Sequence, residues 1–528
     1  MSSCESSEDS SAASVALTAP EIQAGEVLHS SSSSYSVLDF IGEGNFGKIA
    51  LSVNLRTNEK VAVKILKDTE FDQDTEQEVA ILNLISGLDA DCTHMVRFYE
   101  EFQHMDHMCL VFERLDRSLH DLLEQREWEP LPLCVIRPVA MQLFVALDFL
   151  KGLGVLHTDI KPDNVMFVNM QDQPLKIKLI DFGCAMMVSD VEVGMDVQPY
   201  GYRAPEISLG LPFTEAVDVW GVGCVLAFLY LAQNLFPIHC EYQMMSCMVA
   251  VLGQPQDHLL RAGKYSQRFF TEEEGEAASS WRLMTAEEYK AANKVETEQQ
   301  RSFIELPSSL SGLIHIHPKL EAAEMDDRVE FASLLEGLLH LDGDERISPC
   351  QALQKPFISM SHLREDVDSR DYLTTSQILM RVCPTEDGVH SATSDVVHSA
   401  TSDVVHSATS DGVHSATSDV VHSATSDVVH SVTSDCGYAG SMDTLSMSSI
   451  GDDDSNEASW SCDLTIVSTD TTWSSLFNET VEVSWSSDEA VDATAAATAS
   501  TGGMRKLLRR IGKFFSSLTS CCRPKVED

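Results

Sequence analysis

Apolar and polar positions divide the chain into three regimes. Met1 to about Ser34 is rich in serine and has no periodic apolar residues or basic residue, which predicts disorder over residues 1–34. From Tyr35 the pattern changes to alternation. Ser36-Val37-Leu38-Asp39-Phe40-Ile41 reads as a strand running into a glycine-rich turn, and another strand ends at Val61-Ala62-Val63-Lys64. Asp72 to Ser86 switches to a helical period, with Val79, Leu82 and Ile85 on one side. Two more strands follow, the second at Met108–Phe112, and helical periodicity returns from Leu133 to Leu150. Past residue 386 the chain becomes too polar to build a core.

Length adds little to this picture and charge adds more. At 528 residues the chain could hold two or three domains, but its polar ends leave one large folded unit in the middle. The net charge is −46, and no Lys or Arg occurs between Arg381 and Arg505. That balance argues against direct nucleic-acid binding, which relies on basic side chains at phosphates. The 14 cysteines lack the paired spacings of zinc sites, and the amino terminus lacks a basic-then-apolar signal. Both features predict reduced thiols in an intracellular protein, nuclear or cytoplasmic.

The candidate chemistry lies at fixed places within the middle unit. Gly42, Gly44 and Gly47 interrupt a strand pair where backbone could approach phosphates, and Lys64 ends an alternating strand where its amine could reach them. Glu78 is the expected carboxylate partner of Lys64; Glu76 is the alternative, and the apolar phase of the helix favours Glu78. Downstream come His157-Thr158-Asp159-Ile160-Lys161-Pro162-Asp163-Asn164, then Asp181-Phe182-Gly183, then Ala204-Pro205-Glu206. Each motif alone is a common turn or a solvated charge, and their order is what carries information.

That order resembles a protein kinase, which implies an α+β, two-lobed fold. A small β-rich N-lobe would span 35–112, a larger helical C-lobe 113–360, with an extension over 361–386. The resemblance implies that Asp159 accepts or orients the substrate hydroxyl proton, Lys161 stabilises the moving phosphoryl group, and Asn164 and Asp181 hold Mg2+. ATP would lie among Ile41, Gly42, Gly44, Gly47, Ile49, Lys64 and Glu78. Its adenine would meet the backbone of Glu113 and Leu115, beside a bulky Phe112. Glu206 would pair with Arg346 to anchor the activation segment. Val219 to Cys240 has no charged residue and is long enough to raise a membrane span. Asp218, Trp220 and Gly223, in the order Asp-x-Trp-x-x-Gly, instead match the buried central helix of a kinase large lobe.

Within the kinases, Tyr202-Arg203-Ala204-Pro205-Glu206-Ile207 followed by Leu209-Gly210-Leu211-Pro212-Phe213 is similar to the group of cyclin-dependent, MAP and dual-specificity tyrosine-regulated kinases. Cys109-Leu110-Val111-Phe112-Glu113, Ile180-Asp181-Phe182-Gly183, Arg268-Phe269-Phe270 and Trp281-Arg282-Leu283 resemble the homeodomain-interacting protein kinases over roughly Glu26 to Pro384. This implies ATP-dependent phosphorylation of Ser or Thr in proteins, in transcription or stress signalling, with a preference for Pro after the acceptor. The alternative is a pseudokinase scaffold. Three departures qualify the resemblance. Thr158 stands where many kinases have an Arg that clamps a phosphorylated loop. Asp196 aligns with the family's autophosphorylated tyrosine, and Tyr200 with the Arg that receives the phosphate, while Arg203 remains. A carboxylate carries about one charge against the roughly 1.5 to 2 of a phosphate, so Asp196 is a partial mimic. Activity without phosphorylation of Tyr200 or Tyr202 is therefore expected. The tail is also shorter than the regulatory region of those relatives, so homeodomain binding is not carried over.

Three segments follow the expected domain. Residues 387–435 repeat Asp-Val-Val-His-Ser-Ala-Thr-Ser and read as a disordered spacer; spaced residues such as His390, His398 and His406 lack the surroundings of a metal site. Within the acidic stretch 436–502, Leu464, Ile466 and Val467 form a short apolar run like a SUMO-interacting motif that adds a strand to a partner sheet. Trp460, Trp473 and Trp485 could equally serve another protein contact. In 503–528, Met504, Leu507, Leu508, Ile511, Phe514, Phe515 and Leu518 share one helical face, with Arg505, Lys506, Arg509, Arg510 and Lys513 opposite. With Cys521 and Cys522 as lipidation sites, residues 504–522 suit an anionic membrane surface. Docking on an acidic kinase domain and a basic import signal are the alternatives.

Overall fold

The computed structural model describes residues 21–44, 47–66, 73–273, 280–294, 309–318, 322–363 and 370–383. The octapeptide repeats, the run at Leu464, Ile466 and Val467, and residues 504–522 lie outside these. The alternating segments near the amino terminus build one sheet. β1 (Val27–His29), β2 (Ser34–Glu43), β3 (Gly47–Asn54), β4 (Lys60–Leu66), β5 (Phe98–His104) and β6 (His107–Glu113) run in the order β1-β2-β3-β4-β6-β5. All neighbours are antiparallel. Tyr35, Val37, Ala50, Val61, Val63, Cys109 and Val111 supply its buried face, as a period of two requires. Helix α1 (Gln73–Ser86) contributes Ile81, Leu82 and Ile85 to the larger core.

The expected disorder over 1–34 extends too far. Val27 pairs with Ser36 and His29 with Ser34, and Ile22 and Leu28 are buried in the small-lobe core. The serines that suggested disorder have a shared partner. Ser30 and Ser32 donate to the Glu100 carboxylate at 3.0 and 2.8 Å, and the Tyr35 hydroxyl donates to it as well.

Beyond Glu113 the described residues are mainly helical: α2 (Leu119–Gln125), α3 (Leu133–Leu153), α4 (Pro205–Leu209), α5 (Ala216–Leu231), α6 (Glu241–Leu252), α7 (Asp257–Ala262), α8 (Ala286–Asn293), α9 (Ala322–Leu338), α10 (Pro349–Leu353), α11 (Pro356–Ser359) and α12 (Arg370–Met380). Three small ladders intervene, pairing β7 (Val155–Leu156) with β10 (Met186–Met187), β8 (Val165–Asn169) with β9 (Gln173–Leu179), and β11 (Phe270–Glu273) with β12 (Ser280–Leu283). Every residue of α5 from Val217 to Leu231 is buried, the environment that a helix apolar on all sides demands. Among the described residues α3 is the one helix long and apolar enough to cross a membrane, and 89% of its apolar window is buried inside the lobe. Arg137 on α3 is fully buried and pairs with Asp327 on α9, which also accepts from Tyr372 on α12 and lies 3.0 Å from His362 Nε2. These contacts fasten His362 and α12, the described parts of the expected extension, to the large lobe.

Candidate active site

The first cluster is set by β4, α1 and the turn after β9. Strand pairing places Lys64 between Ile49 of β3 and Leu110 of β6. Its Nζ donates to Glu78 Oε1 at 2.6 Å and to Asp181 Oδ1 at 3.1 Å. Glu78 is buried and Glu76 exposed, which decides between the two candidates. Burial works against the Lys64 ammonium, but the charges of Asp181 and Glu78 outweigh it and raise its pKa. Burial also opposes ionisation of Asp181, yet the Lys64 charge holds that carboxyl below its usual range. For Glu78 burial wins, and its pKa is raised. A β-carbon at Gly183 would stand 3.3 Å from Lys64 Nζ and 3.4 Å from Asp181 Oδ1, so a glycine keeps this cluster uncrowded.

The second cluster is the loop after β7. His157 and Thr158 donate their amides to the two Asp218 oxygens at 2.6 and 2.8 Å. Burial raises the Asp218 pKa, with the two amides acting against that rise. This clamp from α5 holds Thr158 in a left-handed conformation (φ 62°) that a β-branched residue adopts only under constraint. The Thr158 hydroxyl then donates to the Cys184 carbonyl at 2.7 Å, bonding the loop to the residue after Gly183. Asp159 accepts from Lys161 Nζ and from Asn164 Nδ2, each at 2.8 Å. Burial lowers the affinity of Lys161 for its proton, but the bond to Asp159 more than restores it and the pKa is raised. His157 Nε2 lies 3.0 Å from the Ile180 carbonyl and its ring meets Phe182 edge-on at 5.0 Å, joining this loop to the first cluster.

The other residues expected to line a nucleotide cleft lie in β2, β3 and the turn between them, and at the end of β6 and just past it. Ile41 is 57% exposed, and Gly42 pairs with Ile49 across β2 and β3. The Gly44 amide donates to the Gly47 carbonyl at 2.9 Å. A β-carbon at Gly47 would lie 2.3 Å from the Ile65 carbonyl oxygen, so strand packing alone requires glycine there; at Gly44 nothing stands within 4 Å. The Glu113 amide donates to the Arg97 carbonyl at 3.0 Å, which confines any base contact at this residue to its own carbonyl. Leu115, two residues past β6 in the connection between the lobes, is buried in the larger core.

For a metal, the donor set is oxygen from one amide and one carboxylate, as a hard cation prefers. The Asn164 Nδ2 is committed to Asp159, leaving Oδ1 as its ligand atom, and Asp181 keeps 38% of its side chain exposed. These residues fit Mg2+.

In the activation segment Arg203 and Glu206 are the main anchors. Asp196 Oδ1 lies 2.7 Å from the Arg203 guanidinium, whose Nε and second terminal nitrogen also donate to the Gln198 carbonyl at 3.0 and 2.7 Å. Tyr200 stacks against that guanidinium at 4.6 Å and is 37% exposed, whereas Tyr202 is buried and donates to Asn234 Oδ1 at 2.6 Å. Glu206 accepts from both terminal nitrogens of Arg346 at 2.6 and 2.9 Å. Sequence reasoning missed Gln198 and Glu241. Gln198 has φ 66°, and the Glu241 carboxylate lies 3.6 Å from Arg203 and 2.8 Å from Arg268. No short motif marks either one, because their roles depend on a backbone angle and on a partner far along the chain.

Comparison with known proteins agrees with this geometry. The family described as "Protein kinase domain" matches residues 35–358. Homeodomain-interacting protein kinase 2 of Mus musculus is 41% identical over 343 residues, 64% of this chain and 29% of its own. Homeodomain-interacting protein kinase 1 of Caenorhabditis elegans is 36% identical over 362 residues, 66% of this chain and 43% of its own. Homeodomain-interacting protein kinase 4 of Homo sapiens is 35% identical over 362 residues, 66% of this chain and 59% of its own. The chain therefore spans between 29% and 59% of the length of these relatives.

Proposed function

The chain belongs to the protein kinase domain family, and on that premise we propose that it transfers the γ-phosphoryl group of ATP to Ser or Thr hydroxyls of proteins. The observation that carries this reading is the joint assembly of Lys64, Glu78 and Asp181 on one side and Asp159, Lys161 and Asn164 on the other. No position needed for transfer is lost, and nothing favours the scaffold alternative. In the reaction the substrate oxygen forms a bond to the γ-phosphorus, the bond to the ADP oxygen breaks, and the hydroxyl proton passes to Asp159. Lys161 remains an ammonium and offsets charge on the moving group. Lys64, oriented by Glu78, holds the nucleotide phosphates. Mg2+, when held by Asn164 and Asp181, supplies neutralisation of phosphate charge.

The Gln198 carbonyl supports a choice of substrate. Two Arg203 nitrogens occupy it, so it offers no acceptor to the backbone N–H of a residue after the acceptor Ser or Thr. Proline has no such N–H, while another residue would leave one unsatisfied at about 1–3 kcal/mol. Full-length protein assayed with MgATP on a Ser-Pro peptide and its Ser-Ala twin is expected to favour Ser-Pro in kcat/KM by about tenfold or more. Transfer to neither peptide would overturn the kinase reading, and equal transfer would overturn only the preference.

Asp196 is proposed to replace loop tyrosine phosphorylation. On the resemblance alone the kinase acts in transcription or stress signalling, in the nucleus or cytoplasm. Leu464, Ile466 and Val467 are proposed to bind SUMO, and residues 504–522 an anionic membrane. Loss of vesicle flotation on replacing Phe514 and Phe515 by Ser is expected, and unchanged flotation sinks the membrane proposal.

A further inference from the structure

Two lysines are buried among the described residues. Lys64 belongs to the site above, and Lys178 does not. Lys178 lies on β9, three residues before Asp181, with its side chain wholly inaccessible. Its Nζ stands 2.6 Å from Glu113 Oε1 and 3.2 Å from Asp91 Oδ1. Glu113 is the last residue of β6 and the start of the connection between the lobes; Asp91 lies in the turn beyond α1, the helix that carries Glu78. The backbone ties the same pieces together. The Arg97 amide donates to Glu113 Oε1 at 2.7 Å, the Glu113 amide donates to the Arg97 carbonyl at 3.0 Å, and the Leu179 amide donates to the His94 carbonyl at 2.8 Å. The Arg97 side chain and Lys176 complete the Asp91 contacts at 3.0 and 3.1 Å.

Three segments that must keep register around a nucleotide thus converge on one ammonium. They are the connection that would meet the adenine, the turn following the Glu78 helix, and the strand that delivers Asp181. We propose that Lys178 is a positioning residue for ATP, fixing the Glu113 backbone relative to Lys64 and Asp181 through its simultaneous hold on Glu113 and Asp91. The proposal rests on the kinase reading and adds a determinant of nucleotide affinity outside the cleft. Charge-assisted bonds are directional, so this ammonium sets where Glu113 sits. An apolar side chain of similar length could fill the volume but could not orient the carboxylate. The Asp91 carboxyl bears the mark of the same contact: burial works to raise its pKa, but Lys178 and Lys176 pull it down to about 2. Asp91 therefore stays charged across the physiological range.

The test compares full-length wild type, Lys178→Met and Asp91→Asn in steady-state transfer to the Ser-Pro peptide, with thermal melts alongside. Lys178→Met is expected to raise KM for ATP by about tenfold, the lower end of what loss of a supporting contact costs. Its kcat and peptide KM should stay within about twofold of wild type. Asp91→Asn, which keeps Glu113 paired, is expected to raise KM for ATP by a smaller factor, about threefold. It also provides the readout if Lys178→Met does not fold. An ATP KM unchanged in both variants overturns the inference, as does a fall of kcat in parallel with melting temperature, which would mark a merely structural role. Absence of transfer by wild type overturns the kinase reading instead.

Discussion

Replacing Asp196 by Asn asks how far an acidic side chain substitutes for a phosphate in this activation segment. Asp196 reaches Arg203 at 2.7 Å, but its side chain is 80% exposed. An ion pair so open to water contributes about 0.2–1 kcal/mol, which is at most about a fivefold change in the population of the ordered segment. Arg203 keeps its other contacts without it: two bonds to the Gln198 carbonyl, the Glu241 carboxylate at 3.6 Å and the Tyr200 ring at 4.6 Å. The expectation is that Asp196→Asn retains about a fifth or more of wild-type kcat/KM on the Ser-Pro peptide. Arg203→Met should lose more than about tenfold, because it strips both donors from the buried Gln198 carbonyl. The assay is steady-state kinetics on full-length protein before and after tyrosine phosphatase treatment. A loss beyond about fiftyfold in Asp196→Asn would show that the magnitude argued from exposure is wrong. Loss of wild-type activity on phosphatase treatment would refute the independence from tyrosine phosphorylation.

Two further outcomes follow from buried charge. Arg346→Met leaves Glu206 buried without its partner and removes donors from the His340 and Ala216 carbonyls, so it should cost about 3–5 kcal/mol in denaturant unfolding, much of it recovered when Glu206→Leu is added; additive losses in the double variant would contradict this. His94 is fully buried at φ 53°, and burial pushes its imidazole from 6.5 down to about 4. The unfolded chain takes up a proton below pH 6.5 that the folded chain resists until about pH 4, so stability is lost as pH falls through that window, by roughly 3 kcal/mol. His94→Asn, which tolerates the left-handed backbone, should flatten the melting temperature between pH 7 and pH 4.5, within the window that those values define; an unchanged acid slope would rule His94 out.

The features legible in sequence were local ones. The order of Gly42 to Gly47, Lys64, Asp159 to Asn164 and Asp181 pointed to two lobes, and the apolar phase of one helix sufficed to prefer Glu78 over Glu76, as the burial of each agrees. Lys178 was hidden by its own surroundings. Leu175-Lys176-Ile177-Lys178-Leu179 alternates as a strand with a solvent-facing basic side would, yet Lys178 is buried because Asp91 and Glu113, far away in sequence, meet it. β1 was obscured by serine content, since the satisfaction of Ser30 and Ser32 depends on Glu100 of a different strand. Gln198 could not be read at all, because its contribution is a positive φ and a carbonyl direction. For Lys178 and β1, tertiary partners override a local pattern.

The central claim is that Asp159, in an intact site, takes part in phosphoryl transfer. It is tested most directly by incubating full-length wild type and Asp159→Asn with γ-labelled ATP, magnesium and the Ser-Pro peptide, with nucleotide binding measured separately by a fluorescent ATP analogue. The account predicts that wild type labels the peptide, and that Asp159→Asn binds the analogue with little change and labels the peptide about 10²- to 10⁴-fold more slowly. Equal labelling by both proteins, or none by wild type while it binds nucleotide, would contradict it.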